Sequence, residues 1–175
     1  MATRRGAYPG TFNPPTVAHL AVVEAAVVQC GLHTVDLVLS AVPLGKHDDP
    51  ELAPLDERRS RLEQIAAPTD WMAVRVTDRQ LLVEIAEGYD VVILGADKWA
   101  QLVDPEWYGG TAARDAALLR LPHVAVAPRP PHPLPGASEH LTILDVDPVH
   151  HAVSASAVRR GERRWLAPGA DTRDP

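Results

Sequence analysis

The chain has 175 residues, 46% of them hydrophobic and 23% charged, one domain's worth of sequence with enough apolar side chains for a core. Its formal net charge of −6 leaves no basic footprint for nucleic acid or a membrane surface. A single cysteine, Cys30, excludes an internal disulfide; with no bilayer-length apolar run and no apolar stretch behind Arg4-Arg5, the expected location is the cytoplasm.

In chain order, Gly6-Ala7-Tyr8 closes a short first strand. The loop that follows carries Gly10, which would let the backbone approach a ligand, and Pro14-Pro15, which stiffen the turn. Thr16 is placed to cap a helix that begins near Val17. His19 follows three residues later, on the same side of the first turn. A hydroxyl, an imidazole and unpaired amides gathered at a helix N-terminus suit a polyphosphate. The spacing predicts this helix over 18–30, with Leu20, Val23, Val27 and Cys30 on one face and Gly31 as the stop. Short β-type runs follow at 35–39, 72–76, 90–94, 123–127 and 141–146, and helical patterns at 56–66, 78–87 and 111–119. The proline-rich stretch Pro128 to Gly136 is an exposed loop inside the domain. Ser154 is predicted to cap a last helix running to about Arg164, with Arg160, Arg163 and Arg164 on a solvated face. Residues 1–168 read as one domain and 169–175 as a frayed tail. Strands alternating with helices, several of the strands apolar throughout, predict an α/β fold: a Rossmann-like, doubly wound parallel sheet with helices on both faces. In such sheets ligands bind beyond the carboxyl ends of the strands.

Three sets of residues carry a resemblance. Gly10-Thr11-Phe12-Asn13-Pro14 with Thr16 and His19 resembles the nucleotidylyltransferase signature G-[ST]-F-[DN]-P-x-[HT]-x-G-H, with Ala18 standing where most bacterial members have Gly. Val153-Ser154-Ala155-Ser156-Ala157-Val158-Arg159 resembles the family's second signature, I-S-S-[ST]-x-[IV]-[RK]. The run Gly95-Ala96-Asp97, then Trp107, then Val124 to Pro130 with Arg129, is similar to that of nicotinate and nicotinamide mononucleotide adenylyltransferases. The resemblance implies transfer of AMP from ATP to a pyridine mononucleotide, with release of pyrophosphate. It implies roles for His19, Thr16, Lys46 and Arg159 around the reacting phosphates, and nucleotide binding by Gly10, Thr11, Phe12, Gly95, Asp97, Ser154 and Ser156. Trp107 would stack on the acceptor ring, with Trp99 a competitor, and Thr77 would stand for a threonine that reads the acceptor. Arg59 resembles a family arginine that opens the next helix. Mg²⁺ is expected on the ATP phosphates, with no dedicated protein metal site; His150-His151 read as structural.

Two departures leave the acceptor open. Lys46-His47 reverses a family Pro-His-Lys order, and Arg75 to Leu81 does not match the S-Y-T-x-[DE]-T-L stretch of bacterial pyridine-nucleotide members. The opening Tyr8 to Phe12 also resembles phosphopantetheine adenylyltransferase. A phosphopantetheine-like acceptor, CTP as donor, and a nucleotide-binding relative without turnover therefore stand as alternatives. So does a homo-oligomer, which the sequence does not decide. The expected partners are ATP and a small phosphorylated acceptor.

Overall fold

A computed structural model describes residues 3–45 and 48–171. Six strands form one sheet: β1 (Arg5–Gly10), β2 (Thr34–Ser40), β3 (Met72–Thr77), β4 (Val91–Gly95), β5 (His123–Ala127) and β6 (Leu141–Ile143). Their order is β3-β2-β1-β4-β5-β6, and every pairing is parallel. The expected doubly wound architecture is the one observed.

Side chains alternate across the pleat and so build two apolar layers. Val35, Leu37, Leu39, Val91, Ile93, Ala125 and Ala127 face one way, against α1 (Val17–Cys30) and α2 (Leu55–Ala66). Val92, Leu94, Val124 and Val126 face the other way. That layer is covered by α3 (Leu82–Ile85), α4 (Ala96–Leu102) and α5 (Thr111–Leu118).

The helix after β1 has the ends its sequence predicts. Thr16 holds the extended N-cap conformation, and Gly31 ends the helix in the left-handed region at φ 61°. Two amides then return to the Val27 carbonyl, those of Gly31 and of Leu32. The buried face runs through Ala18, Val22, Val23, Ala26 and Cys30, while Leu20 and Val27 are partly buried at its edges.

Two expectations are corrected, and one helix is added. The helix read over 78–87 shrinks to α3. The Thr77 hydroxyl accepts the Arg79 amide, and the Arg79 carbonyl accepts the Ser40 hydroxyl, so the groups a longer helix needs are already used. The last helix, α6 (Ala155–Arg159), stops at Gly161, whose φ is +116°; a short 3₁₀ turn, Arg163–Trp165, takes up the rest. Helix α4 went unread: over seven residues its only buried side chains are Ala96 and Leu102, too few for a periodic signal. Of the tail expected from Gly169, Ala170 packs into the core at 2% exposed, and residues 172–175 lie outside the described residues. No helix among the described residues is long and apolar enough to cross a membrane.

Candidate active site

The sheet grows outward in opposite directions from β1 and β4, and a cleft of about 290 Å³ opens beyond the carboxyl ends of β1, β4 and β5. Its floor is the loop from Pro9 to Thr16. Phe12 sits there at φ 47°, a conformation rare for a bulky side chain. That backbone turns its ring back over Gly10, where a Cβ would lie 2.7 Å from the ring. The ring also meets Tyr8 edge-on at 5.6 Å and His19 at 5.0 Å.

Thr16 and His19 lock together. The Thr16 amide donates to His19 Nδ1 at 2.9 Å, and the Thr16 hydroxyl lies 2.9 Å from the same nitrogen. With Nδ1 accepting, the proton of the neutral ring is on Nε2, which is left as a donor. Burial, and then the nearby Arg129 charge, lower the His19 pKa to about 4 against an opposing pull from Asp97. The ring is therefore neutral at physiological pH. Burial, with Asp97 adding to it, pushes the Tyr8 phenol upward and keeps it protonated.

Asp97 lies in the first turn of α4, directly after β4. Gly95 makes room for it: a Cβ there would come within 2.5 Å of an Asp97 carboxylate oxygen. Arg129, at the end of β5, reaches Asp97 at 3.6 Å and donates to the Val153 carbonyl at 3.1 Å. Thr16, His19, Gly10, Thr11, Phe12, Gly95, Asp97, Ser154, Ser156 and Arg159 all line this one cleft, and so does Ala18. Ser154 caps α6 by accepting the Ala157 amide at 3.1 Å. Ser156 accepts from Arg159 at 3.3 Å. Arg159 also donates to the Asn13 carbonyl and, through Nε and Nη2, to one oxygen of Glu51 at 3.1 and 3.0 Å.

Trp107 belongs to a second, smaller and more apolar cavity. It stands 39% exposed on the 3₁₀ turn Pro105–Tyr108, with Val38, Leu44, Leu82 and Leu102 among its neighbours around that space. Trp99 lines neither cavity and packs against the core beside α3 and α5. Thr77 is also absent from both walls, because its hydroxyl is turned to the Arg79 amide; Gln80 and Leu81 line the smaller cavity instead. Lys46 lies outside the described residues.

Sequence reasoning missed several groups. Arg129 carries no role of its own in the motif that contains it. The arginine at the start of α2 that touches the site is Arg58, not Arg59. Arg58 is 1% exposed and donates to the Ala53 and Thr11 carbonyls at 3.0 and 3.2 Å, while Arg59 pairs with Glu63 on the surface. His150 and His151 line the cleft rather than serving only as packing. His151 donates to the Val146 carbonyl at 2.9 Å, and His150 Nδ1 is buried without a partner among the described residues.

Comparison with known proteins bears on the family and the fold. A family model described as cytidylyltransferase-like matches residues 7–161. The chain is similar to the solved structure of Plasmodium falciparum nicotinic acid mononucleotide adenylyltransferase complexed with NaAD. The TM-score is 0.65 over 97% of this chain and 94% of that one, at 14% identity, a likeness of fold. No curated protein sequence matches.

Proposed function

The chain belongs to the cytidylyltransferase-like family, and from that premise we propose that it moves AMP from ATP to nicotinate or nicotinamide mononucleotide and releases pyrophosphate. Nucleotidyl transfer is the family's chemistry; the pyridine acceptor is the finer reading. One observation supports it above the others. Two unlike cavities meet along Pro9-Gly10-Thr11, one walled by an imidazole, guanidiniums and a carboxylate, the other by an indole and aliphatic side chains. The first suits a nucleoside triphosphate and the second a flat heterocycle, for which Trp107 offers a stacking face.

In this reading an oxygen of the acceptor phosphate attacks the α-phosphorus of ATP in line. The bond from that phosphorus to the bridging oxygen breaks, and pyrophosphate leaves with both of the bond's electrons. The acceptor phosphate is already anionic, so no general base is required. His19 donates Nε2–H to a phosphate oxygen as charge builds there, a task for the neutral ring its low pKa provides. Arg159 receives the β- and γ-phosphates. Asp97 accepts from ribose hydroxyls, and Lys46, outside the described residues, is the cation proposed between the acceptor and the α-phosphate. Mg²⁺ would come with the substrate as MgATP and would supply charge neutralisation for the pyrophosphate, with no residue of this chain assigned to hold it.

Pyrophosphate release from MgATP or MgCTP, measured against nicotinate mononucleotide, nicotinamide mononucleotide and phosphopantetheine, tests the proposal. Turnover with a pyridine mononucleotide and ATP is expected. Turnover only with phosphopantetheine or only with CTP would replace the substrates and keep the chemistry, and ATP binding with silence across the panel would make the protein a binding module. His19→Ala should lower kcat by about 100-fold or more with little change in the KM for ATP.

A further inference from the structure

Two anions must be brought into contact where the cavities join, and the groups present at that seam are few. Among the described residues, Pro9, Gly10, Thr11 and Lys98 line both cavities. The first three offer backbone and a single hydroxyl; Lys98 alone among them carries a charge. It sits in the first turn of α4, next to Asp97, and its ammonium donates to Gln101 Oε1 at 2.9 Å, one turn further along. The residue is half-buried and borders both spaces, so its stem is steadied by protein.

We propose that Lys98 bridges the acceptor phosphate and the α-phosphate during transfer. This rests on the reaction assigned above and adds a residue to it, beyond whatever Lys46 supplies. Bringing the attacking phosphate against the α-phosphate opposes like charges at close range, and a cation at the seam offsets that repulsion as the new bond forms. An ammonium is a compact charge on a flexible stem and can exchange its resting contacts, the one to Gln101 among them, for phosphate oxygens. Binding of ATP alone does not require this contact, because the triphosphate also meets His19 and Arg159 on the far side of the cleft. Lys98 should therefore act on the rate more than on ATP affinity.

Steady-state kinetics of the full chain with MgATP and nicotinate mononucleotide, for wild type, Lys98→Met and Lys98→Arg, provides the test. Lys98→Met should lose about 100-fold in kcat, keep the KM for ATP within about threefold, and melt near the wild-type temperature; Lys98→Arg should recover part of kcat. If Lys98→Met melts early, Lys98→Gln, which can still donate to Gln101, takes its place. An active wild type whose Lys98 variants turn over equally fast overturns this inference alone. A wild type that releases no pyrophosphate overturns the reaction assignment and this inference with it.

Discussion

Gly10 owes its identity to Phe12. The left-handed backbone at Phe12 costs on the order of 1–3 kcal/mol and is held by the ring's contacts with Tyr8 and His19. A methyl at position 10 would strike that ring. Gly10→Ala should cost about 1–3 kcal/mol of stability and shift Phe12 away from His19, which urea unfolding and a rise in the KM for ATP would register. The sequence indicated a special glycine but not the cause: it suggested room for a ligand, whereas the crowding atoms belong to a side chain two residues on. That contact exists only because of one backbone angle with no sequence signal. Thr16 and His19 were legible because their three-residue spacing on a helix is geometry in itself. Arg129 was harder, since nothing local marks an arginine after a strand as facing a histidine from another crossover.

Between β2 and α2, a short segment is strapped across the signature loop. The Asn13 side-chain amide donates to the Glu51 carbonyl at 2.8 Å and its oxygen accepts the Ala53 amide at 3.1 Å, while Arg58 ties Ala53 to Thr11 from beneath. Glu51 reaches from this strap to Arg159. The carboxylate thus occupies a guanidinium that the proposed reaction assigns to phosphates, and the pair must part when ATP enters. An exposed pair of this kind is worth about 0–1 kcal/mol, so Glu51→Gln should lower the KM for ATP by up to about fivefold, measurable in initial rates at saturating acceptor. Long elements such as α1 were readable from period and caps. Helices α3, α4 and α6 were misread because each has at most seven residues, and turns or side-chain bonds set their ends.

For the whole molecule, the buried neutral histidine links stability to pH. The native His19 pKa is about 4 and the unfolded value 6.5, so between these limits the unfolded chain holds the extra proton. The stabilisation is complete above pH 6.5 and is lost as pH falls toward 4, at up to about 1.4 kcal/mol per pH unit. Urea unfolding from pH 7 to pH 4.5 should show this slope in wild type and a shallower one in His19→Asn. The alternation of strands and helices made the parallel sheet readable, but not its order. Neither composition nor periodicity says that β1 lies between β2 and β4, and that placement puts His19, Asp97, Arg129 and Arg159 around one cleft.

The central position of β1 also bears on how the molecule comes into being. Its second neighbour, β4, enters only after two complete crossovers have been made, and parallel pairings over such separations are among the slow, late events of folding. The cleft walls come from both flanks of that junction and from the last helix, so a half-zipped chain has no place for a triphosphate. A nucleotide would then select finished molecules, adding its binding free energy to the completed fold alone. In a cell, a newly made chain would gain its protection against proteolysis in the same step that gave it a substrate.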